Sequence, residues 1–111
     1  MNIQQRKQHA VLGAFVADAA TLGFHWLYDA ERLAEIAAGK PEFHTPNPAD
    51  YQGVAGYFAA EDKKAGDLSH YGVQLECALR SLAEKGTWDR FHYQSIFSQT
   101  FERGGSFRGY I

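Results

Sequence analysis

Hydrophobic and polar residues along this chain fall into four helical stretches separated by breakers. The first runs from about Gln4 to Leu22 and is apolar almost all round between Ala10 and Ala20. That pattern predicts a central, buried helix rather than a surface one. Gly23 interrupts it, before Phe24-His25-Trp26. The second stretch runs from about Ala30 to Ala38, with Asp29 as N-cap, Gly39 as stop and Pro41 just beyond. The third runs from about Ser69 to Lys85 and ends at Gly86. Its Leu75, Ala78, Leu79 and Leu82 recur at i, i+3, i+4 and i+7, which predicts a core-facing stripe. The fourth runs from about Arg90 to Glu102 behind the N-cap Asp89 and ends at Gly104-Gly105. Tyr93, Ile96, Phe97, Thr100 and Phe101 line one of its faces.

Between Lys40 and Asp67 lies a long non-helical segment that holds all three prolines. Loops of this length are uncommon in compact domains unless they serve a function. Its aromatics, Phe43, Tyr51, Tyr57 and Phe58, predict that it packs down. No stretch alternates with a strand period, so the expected class is all-α with one long loop. At 111 residues the chain is one domain at most. Ser106 to Ile111 ends on apolar residues, and we read residues 1–111 as a single partial domain cut inside a structural element.

Composition narrows the function classes. Hydrophobic residues make up 45% and charged residues 22%, a globular balance. The net charge of -2 gives no basic surface for nucleic acid. One cysteine, Cys77, excludes a disulfide framework. No apolar run reaches the roughly 20 residues of a membrane span. Arg6 and Lys7 precede Ala10–Ala17, and Ala17-Asp18-Ala19 mimics a leader cleavage site. The stretch is short and its helical character continues, so it reads as an internal helix of a cytoplasmic protein. The 14% aromatic content points to a large core or a missing partner surface, and self-association is an expectation.

Asp18 is the only charge in the apolar centre of the first helix. A buried carboxylate must be paired, hydrogen-bonded or metal-bound. Asp18, Thr21 and His25 share a face if the helix persists through Gly23, as a structural brace or as a site. Gly66-Asp67-Leu68-Ser69-His70-Tyr71-Gly72 opens the third helix. It is an anion-binding turn or an ordinary cap by Asp67 or Ser69. The five histidines are dispersed, with no compact metal spacing. Cys77 reads as a small core residue.

Two segments together resemble the ADP-ribosylglycohydrolase family. Gly13-Ala14-Phe15-Val16-Ala17-Asp18-Ala19 is similar to its first-helix motif G-x-x-x-G-D-A. Gly66 to Gly72 is similar to its G-x-x-T-D-D-T turn, and Val73 to Leu82 to the helix behind it. Phe107 to Ile111 resembles the stretch before a further helix. The resemblance implies the N-terminal third of an orthogonal all-helical fold. It implies hydrolysis of the glycosidic bond between ADP-ribose and a protein side chain, assisted by Mg2+. The implied catalytic residues are Asp18, His25 and His70. Asp67, Ser69 and Tyr71 would bind the ADP-ribosyl substrate, and Asp18 is the candidate metal ligand.

Departures from the pattern accompany the match. An acidic residue that many members place seven positions after Asp18 falls on His25. The Asp-Asp pair falls on His70-Tyr71, and the flanking threonines on Ser69 and Gly72. Imidazole and phenol are poor Mg2+ ligands. The family's Asp-x-Asp would lie beyond Ile111. Ala17-Asp18-Ala19 with Gly23-Phe24-His25-Trp26 looks closer to the divergent J crystallin branch, whose members serve as bulk structural proteins. Three readings follow: a hydrolase, a non-catalytic structural or ligand-binding member, and a small helical interaction domain.

Overall fold

The computed structural model describes residues 1–111 and is all-helical. Four α-helices follow one another: α1 (Ile3–Thr21), α2 (Ala30–Ala37), α3 (His70–Lys85) and α4 (Arg90–Phe101). Short 3-10 turns at Leu22–Phe24 and Pro48–Tyr51 join them, and no strand forms. One antiparallel bridge pairs Leu27 with Gly56.

Each helix starts where a side chain can satisfy its free amides. Asn2 and Gln5 form a reciprocal capping box on α1, each bond 2.9 Å long. The Asp29 carboxylate accepts from the Arg32 amide at 2.8 Å, and Asp89 accepts from the His92 amide at 2.9 Å. Ser69 caps α3 by accepting from the Tyr71 amide at 3.1 Å. Gly86 stops α3 at φ 71°. In α2 the left-handed stop falls on Ala38, one residue before the expected Gly39.

α3 and α4 pack as an antiparallel pair, and the one buried apolar side chain they supply is Cys77. The expected α3 stripe is corrected here. Leu75, Ala78 and Leu79 are half-buried and Leu82 is exposed, while Cys77 and Ser81 are buried against α4. Cys77 Sγ donates to Thr100 Oγ1 at 3.5 Å, and Ser81 Oγ pairs with His92 Nδ1 at 2.8 Å. Small side chains let the two helices approach closely, so they take the inner face. Cys77 is a small core residue, as the sequence suggests.

The expectation of a buried first helix is also corrected. Along α1 only Ala19 is buried, and Leu12 and Val16 stand 59% and 49% exposed. α1 meets α3 through its last turn, and nothing covers the rest. The molecule is a slab of 46 × 41 × 19 Å. Its radius of gyration is 16.1 Å, against roughly 13 Å for a compact domain of this length.

The long loop packs down in part. Tyr51 is buried and donates its hydroxyl to the His25 carbonyl at 2.6 Å. Burial, then the neighbouring Asp50 carboxylate, push the Tyr51 phenol up to about 12. Ala59 and Ala60 are buried as well, and Phe58 next to them meets Tyr51 at 5.3 Å. Phe43 and Tyr57, by contrast, remain exposed.

Candidate functional site

The site forms where the last turn of α1 meets the first turn of α3. Asp18 lies 51 residues before Ser69, yet the two share a pair of hydrogen bonds. Asp18 Oδ2 accepts from the Ser69 amide at 2.8 Å, and Oδ1 accepts from the Ser69 hydroxyl at 2.5 Å. The Ser69 hydroxyl in turn accepts from the Tyr71 amide. Asp18 is thus a second cap on α3, delivered from another helix. Gly72 makes the approach feasible: a Cβ there would lie 2.9 Å from Asp18 Cγ and 3.0 Å from Leu68 Cδ2.

Beyond Thr21 the helix tightens into the 3-10 turn, and Trp26 then takes φ 57°. A left-handed Trp is a genuine outlier. This change of course means that Thr21 does not join Asp18 and His25 in one cluster. Its hydroxyl bonds back to the Ala17 carbonyl at 3.0 Å. His25 instead turns to His70, with ring centroids 5.2 Å apart in an edge-on arrangement. Tyr71 stands 4.0 Å from the His70 ring and 5.5 Å from the His25 ring.

Of the residues singled out from sequence, Asp18, His25, Ser69, His70 and Tyr71 are brought together. Asp67 is not: its carboxylate accepts from the Lys64 amide at 2.9 Å and closes its own turn. Sequence reasoning missed Lys63, which borders the same small cavity as His25, Ser69 and His70. It also missed Trp26 as a wall, stacked on His25 at 4.9 Å and edge-on to His70 at 5.3 Å. The signal was the aromatic pair Trp26 and Tyr28 directly after His25.

The imidazoles are held in their neutral form. Burial lowers the His25 pKa, and the neighbouring His70 lowers it further against the opposing pull of Asp18. Burial also lowers that of His70, again against Asp18. The Nε2 atoms of both rings are buried without a protein partner. The cavity beside them measures about 10 Å3, the size of a single water.

This arrangement has a pH signature. Above the ordinary histidine value of 6.5 both rings are neutral, folded or unfolded, and stability is full. Below it, the unfolded chain takes up protons that the native rings resist, so stability falls until the lowered native values are reached. Urea midpoints should therefore fall as the pH drops below about 6.5, and less steeply in His70→Gln. An equal drop in wild type and variant would show that His70 does not contribute.

Comparison with known proteins gives one direction. The chain is 31% identical over 108 residues to crystallin J1A of Tripedalia cystophora, across 94% of its own length. It is 31% identical over 109 residues to crystallin J1B of the same organism. This chain is similar to the J1 crystallins. It spans 30% of the length of each. No family model matches. No solved structure matches either.

Proposed function

We propose that this chain is part of a J crystallin-like protein of ADP-ribosylglycohydrolase ancestry, in a structural or ligand-binding role without turnover. One observation carries the reading. Both oxygens of Asp18 are engaged by Ser69, and the two positions where the hydrolase pattern has its Asp pair hold His70 and Tyr71. Asp18 thereby acts as a brace between α1 and α3. The similarity to the J1 crystallins supports the same direction.

The Mg2+ expected from the family pattern does not fit the donors in this chain. Mg2+ takes roughly six hard oxygen ligands in near-octahedral geometry. The cluster offers one carboxylate, already bonded through both oxygens, beside two imidazoles. No group of three metal-binding side chains forms. An ADP-ribosyl group remains the proposed ligand class, and a cytoplasmic setting belongs to the same proposal. The only related structural fact is that no helix is long and apolar enough to cross a membrane.

A hydrolase reading stands second, on the unpartnered Nε2 atoms of His25 and His70. A buried neutral imidazole is chemically suited to general-base work. One experiment separates the two. The full-length protein is incubated with ADP-ribosylated protein, with Mg2+ or with chelator, and released ADP-ribose is measured. The structural reading expects release at the blank rate under both conditions. Release above blank that disappears in His70→Gln would establish the hydrolase instead.

A further inference from the structure

Next to the histidine pair, the Leu27–Gly56 bridge builds an aromatic cleft. The Tyr28 amide donates to the Ala55 carbonyl at 2.9 Å, and the Tyr57 amide donates to the Trp26 carbonyl at 3.0 Å. Leu27 is buried, whereas Tyr28 beside it is exposed and Trp26 turns away through its left-handed backbone at φ 57°. Tyr57 and Tyr110 complete the wall. A cleft of about 390 Å3 is lined by these four aromatics alone.

The rings are inclined to one another and do not form a flat stack. Trp26 meets Tyr57 at 6.2 Å and 57°, and Tyr110 at 5.8 Å and 70°. Tyr57 and Tyr110 are 5.0 Å apart at 53°. Tyr28, Tyr57 and Tyr110 nonetheless stay more than half exposed. The left-handed Trp26 backbone is held in place by the bridge and by Tyr51 bonding the preceding carbonyl. Strain of this kind in a bulky residue gathers where a side chain must be presented.

Electrostatics select the occupant. Aromatic faces carry negative potential and attract cations, most strongly methylated ammonium groups that shed water easily. An adjoining hollow of about 240 Å3 shares Tyr57 and Tyr110 and includes Glu61. No Lys, Arg or His lines either space. A nucleotide phosphate would find no cationic partner here, whereas a cation finds four aromatic rings and, in the adjoining hollow, the Glu61 carboxylate. We infer that Trp26, Tyr28, Tyr57 and Tyr110, with Glu61, form a binding site for a quaternary ammonium group. This site goes beyond the proposed function and stands whether or not the protein hydrolyses anything.

Saturation-transfer NMR on the full-length protein tests it with three probes. These are choline, its neutral isostere 3,3-dimethylbutanol, and a peptide carrying trimethyl-lysine. Choline or the peptide should bind at least about 10-fold more tightly than the neutral isostere, and the tighter of the two identifies the source. Tyr57→Leu and Tyr110→Leu alter exposed side chains and should each weaken binding about 5-fold or more. Glu61→Gln should weaken it about 2-fold and reduce its salt sensitivity. Equal binding of choline and the isostere would reduce the cleft to a generic apolar surface and overturn the assignment. AMP displacing choline from the tyrosines would overturn it in favour of a stacking site for bases. ADP-ribosyl turnover is read separately, so failure of one reading leaves the other intact.

Discussion

Asp18→Ala is expected to destabilise the protein by roughly 3 kcal/mol. The loss arises at Ser69, which is 3% exposed and would keep an amide and a hydroxyl without their acceptor. Each buried unsatisfied donor costs about 1–3 kcal/mol. The effect also propagates one bond further. Donation to Asp18 orients the Ser69 hydroxyl so that its lone pair faces the Tyr71 amide, and that cap loosens when the acceptor is gone. Asp18→Asn keeps an acceptor for one of the two donors and should cost about half as much. Urea unfolding of the full-length protein reads both, as a fall in midpoint at constant slope. A change within about 0.5 kcal/mol for Asp18→Ala would remove the brace from the account of this site.

Gly56→Ala should cost as much, for a different reason. Gly56 sits at φ 149°, where a side chain is strained, and its Cβ would lie 2.5 Å from the Trp26 carbonyl oxygen and 3.2 Å from Leu27 Cα. Both neighbours are backbone and cannot rotate away, so the 26–28 and 55–57 segments must separate. We expect a loss of about 2–4 kcal/mol. Gly53 supplies the control, with φ 72° and open space around its Cβ position. Gly53→Ala carries the conformational penalty alone, of order 1 kcal/mol. Thermal unfolding of the two variants isolates the cost of the close approach. If Gly56→Ala is no worse than Gly53→Ala, the bridge is not what holds the cleft. Choline binding should fall with Gly56→Ala and persist with Gly53→Ala.

Much of the candidate site was legible before the structure. Asp18 stood out because a lone carboxylate in an apolar helix must find a partner, and it did. Ser69 stood out as a cap, and it is one. What could not be read was that these two observations are a single one: the carboxylate's partner is the cap itself. That pairing depends on how α1 and α3 are brought together, and no local pattern specifies it. His25 stood out on the face of Asp18 and Thr21 and His70 within the 66–72 turn, the resemblance gave both a role, and their contact rests on the turn after Thr21. Asp67 looked as good a cap as Ser69 but spends its carboxylate within its own turn.

The apolar stripe of α3 shows the same division. Periodicity identifies a helix with two distinct faces, yet the inner face here holds Cys77 and Ser81 rather than the leucines. Close helix packing favours small residues that bring backbones together, and hydrophobicity alone does not rank faces by size. In α1, uniform apolarity implies burial, but burial needs a neighbour, and these residues supply one only at the last turn.

By itself, the sequence determined the four helices, the N-caps Asp29, Ser69 and Asp89, the single long loop and the likeness of two segments to a known family. These depend on hydrogen bonds and dihedral preferences within a few residues of each position. The tertiary structure alone decided which faces are covered, that Asp18 caps α3, that two neutral imidazoles meet edge-on, and that four aromatics share a cleft. Those outcomes join residues about 10 to 85 positions apart, where the geometry of packing and the desolvation of polar groups select among arrangements that local propensity leaves equivalent.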